Sequence, residues 1–172
     1  MDKATLKKLI HVWVDHNNEY RKIEGYLIHK DTGIIYSNKR AGRPSLRKTL
    51  NPNKYIKLNS YLNMNGYPMH KLSSEYFSDL HESKKDISVH KLLMISNIFH
   101  FNLLDKILHK AFPHISLKAL TRTTRAIKKE ILRGSCINHK DHNKRNHNLN
   151  NLELVTDQGN SKKYEEHRKK SL

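Results

Sequence analysis

The stretch INHKDHNKRNHNLNNLELVTDQGN, residues 137–160, holds three His, seven Asn and two Asp in twenty-four residues. These types can do chemistry. Imidazole exchanges a proton near neutral pH, and amide and carboxylate oxygens meet hard cations. The stretch reads either as an Asn-rich polar tract or as a site with fixed positions. Its order speaks for a site. Cys136-Ile137 ends a strand, and residues 141–148 form a polar loop. Leu152, Leu154 and Val155 give NLELVT the look of a second short strand. Thr156 or Asp157 can then cap a helix that contains Gly159 and Asn160. Strand, loop, strand and helix bring Asn138 and His139 close to Asn160.

Other elements must position that unit. Leu6, Leu9, Ile10, Trp13 and Val14 fall at helical spacing, which predicts an amphipathic helix over 3–20. GYLIHKDTGIIYSN predicts a hairpin: strands at 26–29 and 34–37 around the turn residues Asp31, Thr32 and Gly33. Residues 39–54 are basic and broken by Gly42, Pro44 and Pro52, as a loop or arm would be. Further short strands follow, turning at Asn65-Gly66, and HESKKD is a polar connection. From Ser88 the period becomes helical through Val89, Leu92, Leu93, Ile95, Ile98 and Phe99. A second apolar stretch, 101–112, ends at Pro113. Ser116 caps a third helix over 116–132, closed by Gly134. Its polar face carries Lys118, Arg122, Arg125, Lys128 and Lys129. The fold class expected is α+β: residues 1–87 an N-terminal helix and β-rich region, residues 88–172 a helical segment and the polar motif, whose core is 136–165.

The 172-residue chain has 36% hydrophobic residues and a formal net charge of +17. A core of modest size is expected, and so are polyanionic partners, nucleic acid first. One cysteine, Cys136, excludes an intramolecular disulfide and Cys-rich zinc sites. No apolar run approaches a membrane span, and MDKATLKKLIHVWVDHNNEY does not read as a signal peptide. An intracellular, soluble protein is the expectation.

N-H-x-D-x-N-x-x-N, then N-L-E-x-V-T and a terminal Asn, resembles the HNH nucleases, above all the phage and intron-encoded HNH homing endonucleases with their ββα-metal (His-Me finger) motif. Asn138, His139, Asp141, Asn143, Asn146, Asn151, Leu152, Val155, Thr156 and Asn160 fall in register with it. Asn160 follows Asn138 by twenty-two positions, as the family's two metal-binding side chains do. Upstream, Glu24-Gly25-Tyr26 through Ser37, Asn65-Gly66-Tyr67 and Val89-His90-Lys91-Leu92-Leu93 are similar to the family's small N-terminal β module, more loosely. There are departures. His142 stands where the family usually has Gly, His147 where Asn is common, and Leu154 where an aromatic is common. Residues 100–135 are longer than the usual link. Twelve residues follow Asn160, where the family often carries a further DNA-binding helix module.

The resemblance implies a metal-dependent endonuclease acting on double-stranded DNA, of phage or other mobile-element origin. His139 would be the general base. Asn138 and Asn160 would hold one divalent cation, Mg²⁺ or Mn²⁺. Asn151, grouped with His139 in the catalytic set, would tie the loop through backbone hydrogen bonds. Asp141 would orient the loop or hold the metal-binding side chains from behind. Lys140, Lys144 and Arg145 would contact phosphates beside the site, and Lys39, Arg40 and Arg43 would contact DNA from the basic arm. Two neutral Asn ligands imply weak metal binding without DNA. The resemblance does not fix the oligomeric state; a monomer is the expectation. The competing expectation is a catalytically degenerate, basic nucleic-acid-binding protein that keeps the fold. Among the other histidines, His90 reads as a structural residue at a helix start, and His142 and His147 as exposed loop residues. Trp13 and the tyrosines read as core residues rather than stacking platforms.

Overall fold

The computed structural model describes residues 2–16, 19–38, 55–73, 84–100 and 103–170. They form a mixed α+β fold. The expected N-terminal helix is short. α1 spans Lys3–Lys7, and β1, Leu9–His16, follows at once. Along β1 every second residue is buried: Ile10, Val12, Val14 and His16. That two-residue period belongs to a strand with one covered face, and it overrides the helical spacing of Leu9, Ile10, Trp13 and Val14.

β1 pairs antiparallel with β2, Glu19–His29, and β2 with β3, Ile35–Ser37; β4, Ile56–Lys57, completes a four-stranded sheet. The expected hairpin is therefore present as β2–β3, with β2 beginning at Glu19 rather than at 26. At its turn Gly33 adopts φ +72°, a region other residues enter at a cost. β5, Tyr61–Leu62, β6, Pro68–Ser73, and β7, Lys84–Ser88, form a second antiparallel sheet. The turn at Asn65-Gly66 is present, with Gly66 at φ +77°. Part of HESKKD, expected as a connection, is strand: Lys84, Lys85 and Asp86 lie in β7 and pair with β6.

α2, Val89–His100, covers the first sheet. One irregularity fixes it there. The β1–β2 register shifts between His11 and Trp13, and the Trp13 N–H donates to Ser96 Oγ of α2 at 2.9 Å. A bulge thus frees one backbone donor and the helix takes it up. Asn97 of α2 donates to the Lys30 carbonyl at 2.9 Å. Trp13 stacks on Phe99, with ring centroids 4.7 Å apart. α3, Leu103–Ala111, and α4, Leu117–Arg133, pack together, and Thr124 donates its hydroxyl hydrogen to Asp105. Ser116 caps α4 by accepting from the Ala119 N–H, and the Gly134 N–H closes it on the Glu130 carbonyl. Leu120, Thr124 and Lys128 form its buried stripe, and Arg125 donates to the Tyr20 carbonyl at 2.6 Å. Two of the five cations read as a polar face are thus engaged with the protein body.

The chain ends in β8, Cys136–His139, β9, Leu152–Val155, and α5, Asp157–Lys170. The main core joins Ile10, Val12, Val14, Ile23, Tyr26, Ile28 and Ile35 to Leu72, Leu92, Leu93 and Leu152. It draws on both sides of position 87, and Leu152 brings β9 into it.

Candidate active site

β8 and β9 pair antiparallel, Asn138 opposite Glu153 and His139 opposite Leu152. Neighbours along a strand point to opposite faces. His139 and Leu152 therefore face the core, and Asn138 and Glu153 face the other way. Thr156 Oγ1 accepts from the Gly159 N–H at 3.1 Å, so Thr156 caps the helix that carries Asn160. Cys136 Sγ donates to Asp157 at 2.6 Å, joining the start of β8 to that of α5.

Residues 140–151 form a loop held by its own polar side chains. The side-chain Oδ1 of Asn151 accepts from the Asp141 N–H at 3.1 Å. Its amide donates to Asp141 Oδ1 at 2.8 Å and to the Asn146 carbonyl at 2.6 Å. Asp141 also accepts from Asn146 Nδ2 and from the Asn143 N–H, and these bonds hold its carboxyl below the usual carboxylate range. Both residues are thus committed to loop bonds. His142, in place of the resembled family's Gly, has φ +58°, the backbone a Gly would adopt freely. The loop docks on the β2–β3 turn: Leu149 N–H donates to the Asp31 carbonyl at 2.7 Å, and His147 packs against Gly33.

A polar cleft of about 300 Å³ opens between this loop and α5, lined by Asn138, Lys140, His142, Glu153, Lys163, Glu166 and His167. Asn138 Nδ2 donates to Glu153 Oε1 at 2.9 Å, and Lys163 Nζ donates to the same oxygen. Lys163 first, then Asn138, holds the Glu153 carboxyl below its ordinary value. Asn160 precedes Lys163 by three residues on α5, which places both on one helix face. Asn160 itself is not among the residues that line the cleft; the side-chain oxygens of Asn138 and Glu153 that do are of the kind a hard divalent ion accepts. Among the described residues, no three His, Cys, Asp or Glu side chains converge as metal ligands.

His139 sits on the other face, 5% exposed. Its ring lies edge-on to His90 at 5.2 Å and tilted to Tyr67 at 6.1 Å. Its Nε2 is buried with no hydrogen-bond partner. Burial lowers its pKa, against the raising effect of Asp141. His90 is pushed down to about 3 by burial and by His139, so it is neutral at physiological pH. Around these groups stand cations. Lys140 Nζ donates to the Asn150 carbonyl at 2.9 Å, Lys144 lies 4.9 Å over the Tyr67 ring, and Arg145 is exposed. Lys39, Arg40 and Arg43 fall outside the described residues.

Glu153 and Tyr67 lie in stretches quoted above without a role, Lys163 bears no sequence signal, and His90 and His147 read from sequence as residues outside the site. The tie between Asn138 and Glu153 follows from strand register, which the loop length alone does not give. No known protein family matches the chain, and neither a curated protein nor a solved structure matches it.

Proposed function

We propose that the protein is a metal-dependent endonuclease of the HNH type, hydrolysing phosphodiester bonds in double-stranded DNA. The observation that supports it best is the order of strand, Asn-tied loop, strand and helix, with Asn138 and His139 adjacent on β8 and Asn160 in the first turns of α5. In this reading the unit is a ββα-metal motif, and the sheets of the N-terminal half carry DNA contacts. Asn138 and Asn160 hold one divalent cation, Mg²⁺ or Mn²⁺. When bound, that ion supplies charge to the phosphate and to the oxygen that leaves. His139 takes a proton at Nε2 from the attacking water as its oxygen bonds to phosphorus and one P–O ester bond breaks. A neutral imidazole with an unengaged nitrogen suits that step. Lys140, Lys144 and Arg145 hold flanking phosphates.

A second reading, a basic DNA-binding protein without catalysis, draws on the burial of His139. Both readings predict binding that weakens steeply with salt. They part on cleavage. Supercoiled plasmid, generic or carrying sequence from the gene's own neighbourhood, is incubated with Mg²⁺ or Mn²⁺. Nicked or linear product is expected from the wild type, lost with EDTA and reduced at least a hundredfold in His139→Ala, which still binds DNA. Equal product from His139→Ala would remove the base, and salt-sensitive binding with no product would favour the second reading.

A further inference from the structure

The carboxylate of Glu153 stands where it can decide how Asn138 presents itself. The two are cross-strand partners. Glu153 Oε1 accepts from Asn138 Nδ2 at 2.9 Å and from Lys163 Nζ. A side-chain amide has one donating and one accepting end, and its neighbours determine which end faces them. An ionised carboxylate only accepts. It admits the amide NH₂ and repels the carbonyl oxygen, so the Asn138 oxygen is the end left over for a cation. Asp at 138 would need no such help, because its two oxygens are equivalent. Asn does: turned over, it would present N–H hydrogens to a metal ion.

We infer that Glu153 is the positioning residue of the cation site, turning the Asn138 amide so that its carbonyl oxygen is free to bind the cation, while Lys163 balances the carboxylate charge. The inference rests on the reading of Asn138 as a cation ligand. It gives a role to Glu153, which stands in the N-L-E-x-V-T stretch without one.

Mn²⁺ binding tests it without cleavage. The protein carries His139→Ala, so the DNA stays intact, and is bound to a short duplex. Bound Mn²⁺ is measured by electron paramagnetic resonance above that held by the same DNA alone. Glu153→Gln is expected to weaken Mn²⁺ about tenfold, as loss of a partner that orients a ligand does. Gln offers either end of its own amide and so no longer selects an orientation. In the Asn138→Asp background the same change is expected to have no weakening effect, because nothing remains to be turned. Weakening there too would make Glu153 a ligand in its own right and overturn the positioning role. Unchanged binding in Glu153→Gln, beside loss in Asn138→Ala, would overturn the inference and leave the cation site standing. Absence of Mn²⁺ binding in the parent would overturn the site and the inference together. Melting curves confirm that each variant folds. Lys163→Met, which leaves the Asn138–Glu153 bond untouched, is expected to bind Mn²⁺ at least as well as the parent. Weaker binding in Lys163→Met would count against the inference.

Discussion

His142 shows how a single residue can keep a loop's shape against its own preference. At φ +58° it holds the left-handed conformation, and its N–H closes the turn on the His139 carbonyl at 3.0 Å. For a non-glycine residue that conformation costs about 1–2 kcal/mol. Its ring offsets part of the cost by lying against His167 on α5, 3.9 Å between centroids. His142→Gly would remove the strain, but would also lose the ring contact and free the unfolded chain, a further 0.4–1 kcal/mol or so. These nearly cancel, so urea unfolding should place it within about 1 kcal/mol of wild type. His142→Val, β-branched in the same conformation, should lose about 2 kcal/mol. Equal stabilities for the two variants would mean that the turn is not held at this backbone angle. At this scale the sequence was legible where residue type carries the information: the positions of Asn138, His139, Asn151 and Asn160 follow from motif order alone. Glu153 and His90 were not, because their places depend on which strand position faces which, and on a helix start far away in the chain.

Among the elements, β1 and β7 were misread for opposite reasons. In β1 the buried alternation ends on His16, a polar residue, so the two-residue period is partly concealed and the helical spacing of Leu6, Leu9, Ile10 and Trp13 stands out. In β7 the strand begins with Lys84, Lys85 and Asp86, which carry no apolar signal; pairing with β6, the strand before it in the chain, makes the strand. α2, α4 and the β2–β3 hairpin were legible, since each bears its own period, cap or turn residue. The hairpin turn also meets the polar loop. A Cβ on Gly33 would lie 2.8 Å from Val89 Cγ1 and 3.0 Å from His147 Cδ2, at φ +72°. Gly33→Ala is thus both strained and crowded. It should lose about 1–3 kcal/mol, and His147 should yield before the sheet does. Thermal unfolding reads the first effect. The exchange of the His147 region's amides, rising more than that of β2, reads the second. A melting temperature equal to wild type would show that the loop does not rest on this turn.

The whole molecule buries several histidines that stay neutral. Burial pushes His70 down to about 4 and His90 to about 3, and lowers His139 and His147 as well. In the unfolded chain each would titrate near the usual value of about 6.5. Above that value both states are neutral and the groups add nothing to the pH dependence. Below it the unfolded chain takes up protons that the folded one refuses, so stability falls, by up to about 1.4 kcal/mol per pH unit each for His70 and His90. For His70 the fall continues to about pH 4, and for His90 to about pH 3. Urea unfolding between pH 7 and pH 5 should show the decline, and His90→Phe should make it shallower. An identical slope in that variant would mean that His90 is not neutral in the folded state. The net charge of +17 adds to the burden at low pH through self-repulsion. One further trait belongs to the molecule as a whole. Leu152 lies in the same apolar cluster as Ile10, Val12 and Ile28, while among the described residues β8 and β9 form a two-stranded pair, which in isolation is marginal. The polar motif is therefore a poor candidate for transplantation. Excised or grafted alone, it would leave behind the floor on which its second strand is laid, and a recipient scaffold would have to offer an apolar socket for Leu152 before it could receive the loop.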